Sequence, residues 1–229
     1  MKTDPRSAPR PRTEAKRDRI AEVAMRHFAE NGYQGARVED IAIELGIAKG
    51  SVFQHFGSKA GLFLAAYKKA VTALPSWQDA PEAVRAEGFF ATLDYFLRRT
   101  ETLIAEDWVP YRVALIGNYG TDLKLKRDIN RFLVSEDPYG TLDFVEEGVR
   151  RGELRDDVDV EMVASMVDWL MERFQDALVT EELDPGLFHR HANQPHRTQT
   201  RISEFVEIVR SAIGARGVDP KKEKVAAER

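Results

Sequence analysis

The sequence predicts an all-α protein, and three features of the chain support this fold class. Apolar residues recur at three- and four-residue spacing in most segments, so that they line one face of a helix. Most Gly and Pro residues fall between these segments, and no alternating strand pattern survives comparison with the helical one. With 229 residues and 43% hydrophobic content, the chain can form the core of one large domain or two modest ones.

The N-terminal end combines an irregular segment with a helix. Residues 1–12 are rich in Pro and Arg and lack a periodic apolar pattern, so they are predicted to form a disordered basic arm. A helix is expected over 13–31, with Thr13 as its N-terminal cap. Asn31 and Gly32 are expected to end it, because both residues accept the left-handed backbone conformation.

Three shorter helices are expected over 38–45, 49–55 and 58–74. Gly46 separates the first two, and a residue that accepts a positive φ lets two helices cross sharply. Apolar residues on both helices are spaced to form a shared core. The pair is therefore predicted to be a helix-turn-helix, whose second helix can enter the major groove of DNA.

The other glycines of this region have separate predicted roles. Gly50 leaves one face of the third helix bare, so that its backbone can approach a base or a phosphate closely. Gly57 is expected to end the third helix, and Ser58 to cap the fourth. Gly61 falls in the first turn of the fourth helix, and the sequence alone offers no reason for it.

A second helical domain is predicted after a Pro-rich break at 75–82. The expected domains are the basic arm, a DNA-binding domain over 13–74, a helical domain over 83–215 and a flexible tail over 216–229. Within the second domain, apolar stripes and turn residues predict helices over 89–104, 111–118, 123–134, 139–151, 159–181 and 198–213, with a loop over 183–196.

Composition and charge exclude several classes of protein. The chain has no Cys, which rules out disulfides and thiolate metal sites. It has no apolar run of about 18 residues and no apolar N-terminal stretch of secretory type, so a cytoplasmic protein with no membrane partner is expected. Net charge is −4, yet basic residues outnumber acidic ones over the first 70 residues. A polyanionic partner is therefore expected at the N-terminal end.

The N-terminal domain resembles the DNA-binding domain of the TetR family of repressors. The resemblance is carried by FAENGY at 28–33, VEDIA at 38–42, LGIAKGS at 45–51 and VFQHF at 52–56, followed by Ser58-Lys59 and Leu62-Phe63. It covers 13 to about 70, whereas the rest of the chain matches only in its length and helical order. The resemblance implies a homodimer that binds a palindromic double-stranded DNA operator, with a C-terminal domain for dimerisation and for a small-molecule effector.

The resemblance also implies which residues contact DNA. Bases are expected to face Lys49, Gly50, Ser51 and Gln54, and phosphates to face His55 and Lys59, with Arg37 and Phe53 completing the DNA-binding set. The chemistry agrees, since Gln pairs with adenine, Ser bonds either base type, and Lys reaches guanine or a phosphate. For each residue the alternative is an ordinary solvated side chain. For Arg6, Arg10 and Arg12 of the arm, entry into the minor groove competes with solvated disorder.

Three positions depart from the pattern of the family. Ala36 and Arg37 replace the usual Thr or Ser cap of the second helix, which costs about 1 kcal/mol of capping, while Arg37 keeps a charged donor for the DNA backbone. Phe53 and Gln54 replace paired tyrosines. Phe53 has no hydroxyl to donate and is expected to pack against other residues, whereas Gln54 indicates an altered operator preference. Ala48 replaces the usual Ser cap of the recognition helix.

The second domain is rich in aromatic residues, most of which are expected to fill its core. A ligand pocket needs such a lining and a few polar groups. The candidate lining residues are Phe96, Trp108, Tyr111, Arg112, Leu115, Asn118, Phe144, Met166, Trp169, Leu170 and Arg173. By analogy with the family, the helices over 159–181 and 198–213 are expected to pair with those of a second copy.

The histidines do not predict a metal site. His27 lies on the apolar face of the first helix, where a partly buried, hydrogen-bonded histidine is the expected state. His189, His191 and His196 lie in a Pro-interrupted segment without the spacing of helical metal ligands. No metal and no cofactor are therefore predicted.

The function hypothesis is a repressor released from its operator by a small apolar or amphipathic ligand. The alternative is a DNA-bound interaction or architectural protein of the same fold that responds to no effector. An enzyme is not expected, because no nucleophile–base motif, phosphate-binding glycine loop or metal cluster occurs in the sequence.

Overall fold

The chain folds into α-helices joined by turns and short 3₁₀ segments. A computed structural model describes residues 11–191 and 193–215, and within these residues no β-strand forms beyond an isolated bridge between Leu154 and Gly214. The prediction of an all-α fold is thus confirmed. The helices are α1 (Pro11–Gly35), α2 (Val38–Glu44), α3 (Lys49–Phe56), α4 (Lys59–Ala73), α5 (Glu82–Glu87), α6 (Phe89–Glu106), α7 (Trp108–Tyr119), α8 (Leu123–Glu136), α9 (Thr141–Arg150), α10 (Val160–Val179) and α11 (Pro195–Ile213).

The helices form two compact units. The first unit comprises the described parts of Met1–Leu74 together with Glu106–Pro138, and the second comprises Pro75–Ala105 with the described parts of Tyr139–Arg229. The predicted DNA-binding domain lies in the first unit, where α7 and α8 also pack against its helices. The predicted break at Pro75 coincides with a limit between the units. The functional domain limits themselves stay a prediction.

The first unit has an aromatic core that joins α1, α4 and α7. Phe28 and Phe63 meet edge to face, with ring centroids 4.9 Å apart, and both are fully buried. The buried Tyr67 of α4 donates its hydroxyl hydrogen to Asn118 Oδ1 of α7 at 2.8 Å. Such a bond satisfies the polar end of a ring that is otherwise surrounded by apolar groups. These contacts hold α1, α4 and α7 together within the first unit.

The second unit is built around Trp77, which lies in a 3₁₀ turn between α4 and α5. Its ring stacks on Phe144 with centroids 4.5 Å apart and meets Phe96 edge to face at 5.3 Å. The indole nitrogen donates to Thr141 Oγ1, and that hydroxyl donates to Asp168 Oδ1 at 2.6 Å. Buried polar groups need such partners, so this chain of hydrogen bonds fixes α9 and α10 around the indole.

Most helix ends lie within a few residues of the positions that the sequence predicts. Three ends differ for local reasons. The predicted Thr13 cap is wrong, because α1 begins at Pro11, where a proline fits the first helical position. Gly32 has φ 69° and interrupts α1, as expected, although one further turn follows. α11 begins at Pro195 instead of 198, again with proline in its first turn.

Several expectations concern residues that the structure does not describe or describes only in part. Residues 1–10 of the predicted arm and the predicted tail over 216–229 lie outside the described residues. The predicted loop over 183–196 contains the 3₁₀ turn His189–His191 and the start of α11. Among the described residues, no helix is long and apolar enough to cross a membrane.

Candidate nucleic-acid interface

The turn between α2 and α3 has the geometry of a helix-turn-helix. Gly46 adopts φ 65°, a conformation that side chains disfavour, and it lets the chain reverse between the two helices. Ile41 of α2 and Val52 of α3 are buried, α2 packs against α3, and α3 packs against α4. The opposite face of α3 carries polar residues toward solvent, so the helix can present them to a partner.

The end of α3 and the start of α4 approach each other unusually closely. Gly57 ends α3 with φ 73°, and Ser58 Oγ accepts a hydrogen bond from the Gly61 amide at 3.0 Å, which confirms Ser58 as the cap. A Cβ placed on Gly61 would lie 2.1 Å from the backbone oxygen of Phe56. Gly61, which the sequence left unexplained, is therefore required by backbone contact between two helices.

The first residues of α3 form an exposed polar edge. Lys49 makes an ion pair with Glu39 of α2, and its ammonium lies 5.5 Å from the ring centroid of Phe53. Gly50 is exposed and a Cβ there would meet nothing within 4 Å, which leaves the backbone open to a partner as expected. Gln54 is exposed on the same helix. These residues offer donors and acceptors to a groove of DNA.

Two basic residues of α1 bind α3, and the sequence analysis missed both of them. Lys16 Nζ donates to Ser51 Oγ at 3.0 Å. Arg17 donates to the backbone oxygen of His55 at 2.5 Å, and its guanidinium lies 4.9 Å from the ring centroid of Phe56. The only signal in the sequence is a pair of adjacent basic residues before the apolar stripe of α1.

The environment of His55 disfavours its charged form. Partial burial lowers the pKa of the imidazole below its ordinary value, and the positive charges of Lys16 and Arg17 lower it further. A neutral imidazole carries one N–H donor and one acceptor nitrogen. His55 can therefore donate a hydrogen bond to a phosphate while remaining uncharged.

Lys59 is held at the start of α4 by contacts to the end of α1. Its ammonium donates to the backbone oxygen of Gln34 at 3.1 Å and lies 5.2 Å from the ring centroid of Tyr33. Burial lowers the pKa of Lys59. An ammonium has three donors, so Lys59 keeps N–H groups for a phosphate near a helix N-terminus, where anions bind favourably.

Arg37 and His27 have the states that their sequence context predicts. Arg37 precedes α2 with an extended backbone, is exposed, and makes no side-chain capping bond, so its guanidinium is available to the DNA backbone. The imidazole nitrogen Nε2 of His27 lies 2.8 Å from Glu44 Oε2, and the side chain is largely buried. His27 is therefore a structural hydrogen-bonding residue.

Among the described residues, no group of three or more His, Cys, Asp or Glu side chains could hold a metal ion.

The predicted pocket residues belong to both compact units and differ in exposure. In the first unit, Tyr111 and Leu115 are buried, Arg112 and Asn118 are half-buried, and Trp108 is exposed. In the second unit, Phe96 is buried, Phe144 and Met166 are half-buried, and Trp169, Leu170 and Arg173 are exposed on α10.

Two clefts of ligand size have other linings. One, of about 510 Å³, lies within the first unit beside Tyr33, Phe63 and Lys126. The other, of about 340 Å³, lies within the second unit beside Phe90 and Arg210. None of the predicted pocket residues lines either of these clefts, so the pocket assignment stays a prediction.

The geometry of α2, α3 and α4 defines a DNA-binding protein of the helix-turn-helix class. The family model "Bacterial regulatory proteins, tetR family" matches residues 20–66, which include α2, α3 and the first half of α4. The helix-turn-helix domain of the chain is therefore that of the TetR family of transcriptional regulators.

Sequence relatives cover most of the chain. The HTH-type transcriptional repressor AcnR of Corynebacterium diphtheriae is 28% identical over 160 residues, which are 69% of this chain and 78% of the relative. The fatty acid metabolism regulator protein of Bacillus subtilis is 25% identical over 154 residues, which are 65% of this chain and 75% of the relative. The relatives bear the names of regulators, so the expectation that the chain is not an enzyme is confirmed.

Solved structures share the fold. A TetR transcriptional regulator from Chloroflexus aurantiacus aligns with a TM-score of 0.55 and 21% identity, over 90% of this chain and 100% of that one. The transcriptional regulator FadR from Bacillus subtilis, solved in complex with stearoyl-CoA, aligns with a TM-score of 0.56 and 19% identity, over 83% of this chain and 96% of that one. At this level of identity the structures support the fold alone.

Proposed function

We propose that the chain is a dimeric repressor that binds a palindromic operator and is released from it by a small apolar or amphipathic ligand. The observation that carries the proposal is the exposed polar edge of α3, where Lys49, Gly50 and Gln54 face solvent on a helix anchored by buried Val52. Contacts to base edges in the major groove need such a helix. The repressor names of several sequence relatives favour repression over activation.

Dimerisation follows from the small size of α3. One eight-residue helix reads few bases, whereas two such helices on a two-fold axis, about 34–36 Å apart, read both halves of a palindrome. The second unit offers apolar surface for a twin, because Met162 and Trp169 of α10 are 54% and 63% exposed, and Ile208 of α11 is 68% exposed. Large exposed apolar residues on neighbouring helices support an interface between copies.

Release requires a ligand that binds the DNA-free state better than the DNA-bound state. The structure of Bacillus subtilis FadR with stearoyl-CoA makes long-chain acyl thioesters the first class of ligand to test. The fatty acid name of a sequence relative supports the same choice. The residues predicted from the sequence remain the candidates for the ligand pocket, and their aromatic members would supply apolar surface to an acyl chain.

Fluorescence anisotropy with labelled duplexes tests DNA binding. Overlapping duplexes that tile the DNA upstream of the chain's own gene are titrated with protein, with and without excess unrelated DNA, at several salt concentrations. We expect one duplex to bind with salt-sensitive affinity and to survive competition, and Gln54→Ala with Lys49→Ala to abolish that preference. Equal affinity for every duplex would overturn the proposal of a sequence-specific repressor.

The effector is tested on the protein–operator complex. Stearoyl-CoA is added to the preformed complex, with free coenzyme A as the control that lacks the acyl chain. We expect the acyl thioester to release the operator and free coenzyme A to have no effect. If a screen of acyl thioesters, fatty acids and aromatic acids changes neither operator affinity nor thermal stability, the effector-independent DNA-bound protein is the correct function.

A further inference from the structure

Lys16 of α1 reaches across to the recognition helix and binds one of its predicted base-contacting residues. We propose that Lys16 determines DNA specificity indirectly, by fixing the hydroxyl of Ser51 as a hydrogen-bond donor, so that Ser51 selects against cytosine in the operator. The inference rests on the proposed operator binding and adds to it a residue outside the helix-turn-helix and a base preference.

The direction of the hydrogen bond between the two side chains is fixed by their chemistry. A lysine ammonium has three donors and no acceptor, so at an Nζ–Oγ distance of 3.0 Å the serine oxygen must accept. Within residues 11–191 and 193–215, Ser51 makes no other side-chain hydrogen bond. Its single hydrogen is therefore not used by another side chain and remains for an acceptor on a base, while Lys16 occupies one of the two lone pairs of the oxygen.

The neighbouring residue holds Lys16 in place. Arg17 donates to the backbone oxygen of His55, at the end of α3 where helix carbonyls lack helical partners, and its guanidinium covers the ring of Phe56. A cation at a helix C-terminus is favoured by the helix dipole as well. Because Arg17 fixes this part of α1 on one end of α3, the ammonium of Lys16 stays within reach of Ser51.

A donor hydroxyl distinguishes the bases of the major groove. Guanine, adenine and thymine each present at least one acceptor there, whereas cytosine presents only the N4 amino donor. A serine without Lys16 can rotate its hydroxyl and accept from that amino group, because a free hydroxyl both donates and accepts. With Lys16 in place, one of the two lone pairs of Ser51 Oγ is occupied and a positive ammonium lies beside it. The amino group of cytosine then meets a weaker acceptor and a repelling charge, whereas an acceptor on another base meets the hydroxyl hydrogen.

A simple phosphate contact by Lys16 makes a different prediction. A lysine that binds only the DNA backbone raises affinity for every sequence about equally, and its removal lowers the salt slope by about one. A lysine that acts through Ser51 changes the base preference at one position in each half-site. The two roles therefore separate in the pattern of selected sequences.

The test is selection of bound sequences from randomised duplexes, followed by sequencing and by affinity measurements on single duplexes. Wild type is compared with Lys16→Met, Ser51→Ala and the double variant, and Lys69→Met serves as the control that removes a lysine charge from the same unit without touching α3. Lys16 is exposed, and melting curves verify that each variant is folded.

We expect wild type to disfavour cytosine at one position in each half-site, by roughly 3- to 10-fold, the worth of one hydrogen bond. Lys16→Met and Ser51→Ala should both remove this bias at the same position. The double variant should show the same base preference as Ser51→Ala, and Lys69→Met should keep the bias. Uniform weakening by Lys16→Met with the cytosine bias intact would overturn the proposal, as would a bias that survives Ser51→Ala. A wild-type protein without any sequence preference would instead show that the proposed operator binding is wrong.

Discussion

Tyr67 of α4 packs directly against Gly117 of α7, because this glycine leaves room for the face of the ring. A Cβ on Gly117 would lie 2.5 Å from two ring carbons of Tyr67. The hydroxyl of Tyr67 binds Asn118, the next residue of the same helix. The ring is fully buried, so it cannot move aside without displacing other core residues.

Gly117→Ala should therefore destabilise the protein. Overpacking a filled core costs about 1–3 kcal/mol, which exceeds the gain in helix propensity that alanine brings. Urea denaturation followed by circular dichroism measures the free energy of unfolding. Gly35→Ala is the matched control, since a Cβ there would make only an ordinary contact at 3.6 Å with Asn31. Equal stability of the two variants would mean that the contact between Tyr67 and Gly117 is not tight in solution.

Gly61→Ala should lower both stability and DNA affinity. The added Cβ would lie 2.1 Å from the backbone oxygen of Phe56, so the end of α3 must move away from α4. A backbone group cannot rotate aside as a flexible side chain does, and we expect a cost of about 1–3 kcal/mol or more. Thermal melts and operator titrations measure the two effects.

Ser58→Ala separates the loss of the cap from the steric clash at Gly61. It removes the hydrogen bond from the Gly61 amide to Ser58 Oγ and should cost about 1 kcal/mol, while leaving the spacing of α3 and α4 intact. We therefore expect Gly61→Ala to weaken operator binding more than Ser58→Ala does at comparable stability. The reverse order would show that the cap matters more than the close approach.

The sequence predicts local features well and contacts between distant residues poorly. Gly46, Gly57 and Ser58 act as predicted, because a turn or a cap depends on the residue itself and its immediate neighbours. The bonds from Lys16 to Ser51 and from Arg17 to His55 join residues 35 and 38 positions apart, and they depend on how α1 crosses α3. Periodicity shows which face of a helix is apolar, but it does not show which exposed cation meets which partner.

The pKa of His55 provides an independent measure of the contact between Lys16 and α3. Partial burial lowers this pKa from its ordinary value of 6.5, and the charges of Lys16 and Arg17 add to the effect. Lys16→Met should therefore raise the pKa of His55, as followed by NMR titration of the imidazole signals. Lys69→Met should leave it unchanged, and a pKa that is the same in wild type and Lys16→Met would place Lys16 away from His55 in solution.

The same shift predicts how stability depends on pH. A histidine whose pKa is lowered by folding binds protons more readily in the unfolded state, so unfolding takes up protons in the window between the two pKa values. The contribution of His55 to stability is complete above pH 6.5 and is lost as the pH falls through the lower folded value. His55→Gln should make the stability less sensitive to pH in that window, which denaturation at a series of pH values measures.

The exposed apolar residues of α10 and α11 predict how the dimer forms. Trp169 and Ile208 are each more than half exposed, and a charge at either position should prevent burial against a second copy, because an unpaired buried charge is costly. Trp169→Glu and Ile208→Glu should each shift the protein from dimer to monomer in analytical ultracentrifugation and weaken operator binding by losing the second recognition helix. Ile43→Glu, at a more exposed position on α2, is the control for the oligomeric state, because it adds a surface charge without changing the proposed interface between copies. If Trp169→Glu and Ile208→Glu stay dimeric, the two copies must associate through another surface. If the wild type is a monomer that still binds its operator, a palindromic operator read by two recognition helices is not needed.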